Sequence, residues 1–533
     1  MKQAVLSAAV LLATGAPVAA QLRIVTYNTL TATPDPALGI VLEAIGEESV
    51  NGIAKPVDIL LLQEQDEPTT TTQAIVDILN GMYGSGAYSR TLLATGPSFS
   101  SIRQSAIYRT DTVELLQEAT IAPLSQGGLT PPREAHRAKF SPVGYDSSAE
   151  FYIYNSHFKA GTESDDPGKR AAEAINLRAD ADALGEGAHV IFAGDFNLRN
   201  DGTAGNSGDP AEPAFQTLLA SGPAQAFDPV ADIAPAIWKN NAAAAPVHTH
   251  SGDDVDDRFD FQLPSGEWFD GEGLDFIAGS YRTFGNNGTT YNRVINSGLN
   301  TVEFDFGSDP TYTKSQVLSA LRNASDHLPV VADYQLPAVF SASLVDVPTE
   351  VDWLSDASLT LRIENAAGVV APNGADELDY TVTVFDGQFQ TFAGTDLADG
   401  EPIDIQVSLN TQSLGQRFLS ISVVGNGQGV GGNTFEQTLG YTVVIPEVPG
   451  DFDGNGFVTA ADYTVWRDGL GTDYTPADYL VWRDNFNRNI FSPPLASAAS
   501  PATTPEPPQA LLLVAAVAVG AIRRNPARVN HGG

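Results

Sequence analysis

Two short runs in this chain set a carboxylate beside a neutral polar partner: Gly-Asp-Phe-Asn at 194–197 and Ser-Asp-His-Leu-Pro at 325–329. Each adjoins an apolar stretch that reads as a strand, 190–193 before the first and 330–334 after the second. Asp195 and Asn197 are two apart, so a strand points both side chains to one face. Asp326 and His327 are adjacent and would point to opposite faces. They act together only if the strand ends there and the backbone turns. An acid, an amide, a second acid and an imidazole gathered at strand ends suit a metal-assisted attack on phosphorus.

Other strands end in the same way. Asn28 closes Ile-Val-Thr-Tyr-Asn, Glu64 closes Ile-Leu-Leu-Leu-Gln-Glu, and His157 follows Ile-Tyr-Asn-Ser. One such residue alone reads as a cap or turn. The whole series, each member at a strand end, reads as a site. Strands are expected at 22–27, 59–63, 105–109, 151–156, 190–193 and 330–334, with helical spacing at 72–79 and 169–184. Strands interleaved with helices predict an α/β sandwich with helices covering the sheet faces.

Thr-Tyr-Asn-Thr (26–29), Leu-Gln-Glu (62–64), Asn-Ser-His-Phe (155–158), Gly-Asp-Phe-Asn and Ser-Asp-His-Leu-Pro together make residues 22–335 resemble the endonuclease/exonuclease/phosphatase superfamily. The resemblance implies a four-layer sandwich, two packed mixed sheets with outer helices. It implies Mg²⁺ or Mn²⁺ held by Glu64 with Asn28 and Asp326. It also implies Asp195 orienting or deprotonating a water, Asn197 on a phosphate oxygen, and His157 at the leaving oxygen or the pentacovalent phosphorus. Arg133, in Arg-Glu-Ala-His-Arg-Ala-Lys-Phe (133–140), resembles the phosphate-contacting Arg that nuclease members place in the strand before His157, with Arg137 as its rival. His327 needs a carboxylate behind it. Asp260 in Arg-Phe-Asp-Phe-Gln (258–262) fits best, because an Arg precedes it by two, and Asp275 is the alternative. The stretch 268–313 departs from compact members and reads as a lid or a decorated loop.

Beyond this domain (21–335) the texture changes. Residues 336–446 alternate apolar and polar residues with period two and predict an all-β, immunoglobulin-like sandwich of spacer or adhesion type. In 447–490, Asp451, Asp453, Asn455, Thr459 and Asp462 stand at positions 1, 3, 5, 9 and 12 of a loop, with Gly456 at the turn, a spacing that suits Ca²⁺. Asp at the closing position resembles a dockerin loop, which implies a cohesin-like partner. A second repeat keeps Asp478 but lacks the upstream acids, so one calcium site is expected. Residues 491–504 read as a Pro/Ser/Ala linker.

Both ends carry addresses. Met1-Lys2, an apolar run at 4–13 and Val18-Ala19-Ala20 read as a signal peptide over 1–20. At 505–533, Pro-Glu-Pro, an apolar run and Arg523-Arg524 resemble a PEP-CTERM sorting signal. That implies an exosortase-type processing enzyme, transient membrane association, and a place in the bacterial cell envelope, surface or matrix. The 533 residues hold no cysteine, which excludes disulfides, and the net charge of −37 argues against tight nucleic-acid binding through Lys and Arg alone. The expected function is that of a secreted metal-dependent phosphodiesterase or nuclease on extracellular nucleic acid. Arg133, Arg137, Lys139 and Lys159 would supply a basic groove. A phosphomonoesterase or sphingomyelinase-like phospholipase is the second reading, with Glu267-Trp268-Phe269 as a candidate membrane contact. A non-catalytic surface adhesin is the third.

Overall fold

A computed structural model describes residues 18–30, 36–92, 102–203, 210–252, 254–371, 373–397 and 401–491. Most of the expected signal peptide and the whole PEP-CTERM-like segment lie outside these residues, as does nearly all of the linker. By contact continuity the chain divides into one unit ending at Val444 and a second beginning at Ile445.

In the first unit the elements that position the site follow in order. They are β1 (Gln21–Asn28), α1 (Pro36–Glu47), β2 (Ile59–Gln65), α2 (Gln73–Tyr83), β3 (Arg103–Arg109), β4 (Val113–Ile121), β5 (Ala135–Pro142) and β6 (Phe151–His157). Then come α3 (Asp166–Asp182), β7 (His189–Asp195), α4 (Pro213–Leu219), β8 (Asp260–Pro264), α5 (Lys314–Ala324) and β9 (Val330–Gln335). One sheet runs β9-β1-β2-β3, with short strands at both edges; the other runs β8-β7-β6-β5-β4. β1 pairs parallel with β2 and β6 parallel with β7, while the other pairings named here are antiparallel, so both sheets are mixed.

Period-two alternation builds the layers. Leu22, Ile24, Ile59 and Leu61 of one sheet meet Phe151, Ile153, Ile191 and Ala193 of the other in a dry core between the sheets. The alternate residues face outward. Val25, Tyr27, Leu60 and Leu62 pack on α1, α2 and α5, and Tyr154, Val190 and Phe192 pack on α3 and α4. The result is a helix–sheet–sheet–helix sandwich. Asn28, His157 and Asp195 carry the parity of the inward residues on β1, β6 and β7, so each ends its strand facing the space between the sheets.

The stretch 268–313 is a decoration that joins the core. Phe284, Ile295 and Val302 pack into the outer layer beside α1 and α5, and Trp268 is fully buried against Phe151 and Tyr334. Trp268 is therefore unavailable as a membrane contact. Packing draws it inward because the space beside Tyr334 takes an aromatic ring.

Residues 340–444 form a three-stranded and a five-stranded sheet around their own apolar cluster, which includes Leu361, Val382 and Leu419. They join the first part through buried polar ties. The Gln21 amide donates to the carbonyls of Ala371 and Gly374, and Asp376 accepts from Ala338 N–H at 2.8 Å and Gln335 Nε2 at 3.2 Å. Among the described residues no helix is long and apolar enough to cross a membrane.

Candidate catalytic site

The site is built at adjacent strand ends. In register, His157 on β6 lies beside Asp195 on β7, and Asp195 lies beside Asp260 on β8. Across the gap between the sheets, Asn28 at the end of β1 donates through Nδ2 to Asp195 Oδ2 at 3.0 Å and Glu64 Oε1 at 3.2 Å. Asp195 Oδ2 also lies 3.4 Å from His157 Nε2 and 3.8 Å from His327 Nε2. Its Oδ1 accepts from Asn197 N–H at 3.0 Å.

Glu64 is brought inward by a break in the strand. Alternation would send it outward beside Leu60 and Leu62. The β2–β3 pairing shifts register between Leu62 and Gln65, and Glu64 takes a left-handed φ of 56°. A bulge of this kind re-aims one side chain, and a non-glycine residue holds that conformation only at some cost.

The turn before β9 is equally specific. Ser325 Oγ donates to the Asn28 carbonyl at 2.6 Å and accepts from His327 N–H at 3.1 Å. Leu328 N–H reaches Thr249 O at 2.6 Å, and Ser251 N–H reaches Asp326 O at 2.6 Å. These bonds hold Asp326 and His327 off the strand, as their adjacency requires. His327 Nδ1 then meets Asp260 Oδ2 at 2.7 Å. Asp260, not Asp275, is thus the acid behind His327. Asp275 sits in a short edge strand opposite Gln335, and its carboxylate accepts from Phe276 N–H.

Charge is distributed unevenly. Burial pushes Asp195 up to about 7, helped by Asp260 and opposed by His327 and the hydrogen bonds from Asn28 and Asn197. Burial disfavours the charge on His327, but Asp260, Asp195 and the hydrogen bond to Asp260 raise it to about 10. His157 goes the other way. Burial, then Arg133 and His327, hold it well below the usual imidazole range. The site therefore pairs an imidazolium with a neutral imidazole on either side of one poised carboxyl group.

Other expected residues are placed less simply. Asn197, in the left-handed region at φ 52°, donates through Nδ2 to the Phe158 carbonyl at 3.2 Å. Arg133 lies in the loop before β5 rather than in the strand, and its Nη1 donates to the carbonyls of His157 and Phe158. Arg137 is on β5 but faces outward to Asp180 at 2.6 Å, beside Tyr154, so it is no rival. Lys139 pairs with Glu150, and Lys159 with Asp166 at 3.3 Å. Of these four cations only Arg133 lacks an acid partner, and its Nη1 is turned to backbone carbonyls, so they do not form the expected basic groove.

His250 belongs to the site and has no strand pattern to reveal it. Its ring stacks edge-on against His327 with centroids 5.1 Å apart, and its Nε2 is 4.0 Å from Asp326 Oδ2. The one sequence cue is the acid-rich run at 253–257 beside it.

The carboxylates of this set, Glu64, Asp195 and Asp326, are the oxygen donors that a hard divalent cation takes. Glu64, His157 and Asp195 offer ligand atoms within 4.8 Å of one another, as do His250, Asp326 and His327. Among the described residues neither Glu64 nor Asp195 forms an ion pair with Lys or Arg, so their negative charge is left to be met. Asn28 presents Nδ2 to the two acids while its Oδ1 accepts from Leu30 N–H at 3.1 Å. Offering oxygen to a cation would require its amide to turn.

In the second unit, Asp451, Asp453 and Asp462 also bring carboxylates within 4.8 Å of one another. Asp451 accepts from the N–H groups of Gly454, Asn455 and Gly456, and Gly456 has the left-handed φ of 85° that the turn demands. Asn455 Oδ1 accepts from Phe457 N–H at 2.9 Å. Thr459 caps the helix Ala460–Asp468 in a reciprocal box with Asp462, so its hydroxyl already serves the helix start.

No model of a known protein family matches the chain, and no curated protein matches it. Solved structures do resemble it. The catalytic domain of human Nocturnin, with a bound sulfate, is 18% identical over 60% of this chain and 95% of that one, with a TM-score of 0.37. D. rerio TDP2, complexed with a single-stranded DNA product, is 16% identical over 59% and 98%, with a TM-score of 0.36. An endonuclease/exonuclease/phosphatase from Beutenbergia cavernae is 13% identical over 79% and 100%, with a TM-score of 0.37.

Proposed function

We propose that the chain is a divalent-metal-dependent phosphoester hydrolase of the endonuclease/exonuclease/phosphatase type, acting first of all on phosphodiesters. The observation that carries this reading is the convergence of Asn28, Glu64, His157, Asp195 and the Asp260–His327 pair on one point between the sheets. Mg²⁺ or Mn²⁺, held by Glu64 with Asn28 and Asp326, supplies Lewis-acid polarisation of a phosphoryl oxygen when bound.

The chain's own residues do the rest. Asp195, poised near neutrality, takes a proton from the attacking water. His157, neutral, donates a hydrogen bond to a phosphoryl oxygen. His327, charged and held by Asp260, stabilises the charge gathering on the leaving oxygen and hands it a proton. Asn197 and Arg133 act from the same rim, Asn197 toward a phosphate oxygen and Arg133 by fixing the backbone after His157.

The wider setting belongs to the same proposal. The protein is exported to the envelope or matrix, its C-terminal segment is processed by an exosortase-type enzyme, and the loop at 451–462 takes Ca²⁺ and docks a cohesin-like partner. Extracellular nucleic acid is the first substrate to try.

The test uses the full chain with a bis-aryl phosphodiester, an aryl phosphomonoester, sphingomyelin and plasmid DNA, each with Mg²⁺, with Mn²⁺ and with chelator. Diester cleavage that needs metal and disappears in Glu64→Ala is the expected result. Diester cleavage unchanged in Glu64→Ala would overturn the assignment. Cleavage confined to the monoester or to sphingomyelin would move the substrate class.

A further inference from the structure

Beside the catalytic site the backbone brings another set of donors together. His250 lies opposite Asp257 in an antiparallel bridge, and the N–H groups of Thr249 and His250 both reach the Asp257 carbonyl, at 2.8 and 3.0 Å. Residues directly opposite in such a bridge send their side chains to one face. Asp256 is tied down through its carbonyl, which accepts from Asn240 N–H at 2.8 Å. His250, Asp256 and Asp257 each offer a ligand atom within 4.8 Å of the other two. Donors on one ion, at bonds of about 2.1 Å, lie up to about 4.2 Å apart, so small side-chain rotations close this set.

Two of these side chains carry polar atoms that the fold does not use. Asp257 is nine-tenths buried, at 9% exposure, and its Oδ1 has no hydrogen-bond partner among the described residues. The same holds of His250 Nδ1, while Nε2 of that ring faces Asp326 Oδ2 at 4.0 Å. Buried polar atoms are rarely left so. Charge points the same way. Burial, then Asp256, push the Asp257 carboxyl up to about 6 against Lys239, Arg199 and the Asn240 N–H group, so it is ionised at neutral pH. Burial and Asp254 raise Asp256 against Lys239. The nearby cations thus leave both acids incompletely compensated. Burial, then His327, lower the His250 imidazole against Asp326 and Asp260, and a neutral ring keeps a lone pair for a metal.

We propose that His250, Asp256 and Asp257 hold a divalent ion of their own, of the Zn²⁺ or Co²⁺ kind, apart from the Glu64, Asn28 and Asp326 set. The site goes beyond the hydrolase reading and does not rest on it. One imidazole with two carboxylates suits such an ion, whereas Mg²⁺ and Ca²⁺ prefer oxygen alone. His250 also lies within reach of Asp326 and His327. His327 Nδ1, however, is committed to Asp260 at 2.7 Å and its Nε2 faces Asp195 Oδ2 at 3.8 Å, which leaves Asp256 and Asp257 as the partners of His250. An ion there joins residues 249–251 to residues 255–257. The first of these segments holds the turn before β9, through Leu328 N–H to Thr249 O and Ser251 N–H to Asp326 O, so the ion braces the residues that flank His327.

The test needs no activity. The full chain carrying Glu64→Ala, with Mg²⁺ and Ca²⁺ in excess to fill the oxygen-only sites, is titrated with Co²⁺ and followed by visible absorption. One equivalent is expected to bind and to be displaced by Zn²⁺, and Zn²⁺ is expected to raise the thermal midpoint. Adding Asp257→Asn should weaken Co²⁺ binding at least about a hundredfold and abolish the stabilisation by Zn²⁺. Adding Asp256→Asn instead, at a half-buried position where folding is less at risk, should weaken binding at least about tenfold. Circular dichroism confirms that each variant is folded. No Co²⁺ binding under excess Mg²⁺ and Ca²⁺, or binding unchanged in either folded variant, would overturn the proposal. A parent chain that cleaves no phosphoester overturns the hydrolase reading alone and leaves the ion site standing.

Discussion

The strands β1 and β9 carry buried polar clusters at both ends, and the two ends behave oppositely. At one end, Arg23 lies in register with Asp333 and grips it with two bonds, 2.7 Å from Nε and 2.9 Å from Nη2. Its remaining N–H groups reach the carbonyls of Ile45, Glu48, Ile53 and Lys55. Both side chains are fully buried. At the other end, Asn28 and His327 meet Asp195, Asp260 and Glu64. There Asp195 is held up near 7, Asp260 Oδ1 and His157 Nδ1 lack partners, and Glu64 sits in a strained bulge. One cluster spends every donor and acceptor on the fold. The other keeps some unspent, which is what the proposed binding of a cation and a phosphate requires.

The sharpest way to break the contrast is Asp195→Asn. Removing the carboxyl that takes the proton in the proposed mechanism should lower turnover roughly thousandfold. It should leave the folded state as stable or more so, because an ill-paired buried acid is gone. Turnover and urea midpoints on one preparation decide this, and a large stability loss would place Asp195 with the structural cluster. Next comes Arg23→Met, which strands Asp333 in the core and should cost about 3–5 kcal/mol of stability. The active-site geometry should survive wherever the chain still folds. Denaturant titration measures the first effect and metal-dependent activity below the transition the second.

Glu173 offers a finer test of an incompletely paired acid. Its folded value, about 8, lies above the ordinary 4.5, so folding favours the protonated form. Its contribution should therefore fall as pH rises from about 4.5 through about 8 and then level off. Relative to Glu173→Gln, the parent should lose urea midpoint across that window; parallel curves would show a fully compensated carboxylate. The smallest effect is expected at Arg137→Ala. Its partly exposed pair with Asp180 contributes about 0–1 kcal/mol, and turnover should not change. A loss of activity there would restore the basic groove that the pairing denies.

Much of the site was legible because alternation is a local rule. Asn28, His157 and Asp195 follow apolar strands whose inward residues share their parity, so their common direction could be read from sequence. Glu64 breaks that rule, and only the register shift against β3 turns it inward. His250 gave only the acid-rich run beside it as a local signal, since hydrogen bonds to Asp257 and the neighbouring clamp on Leu328 bring it beside His327. Arg137 misled for the opposite reason. Its strand position was right, but alternation on β5 points it outward.

The chain by itself determined which residue types end which strands, the two periodicities that make sheets and helices, and the spacing of the loop at 451–462. These depend on neighbours a few residues away. The tertiary structure alone decided that Asp260 rather than Asp275 serves His327, that Glu64 faces the cleft, and that the basic side chains are engaged. Each of those is a pairing between segments far apart in sequence. Register and packing select such a partner from several of equal chemistry, and no local pattern records the choice.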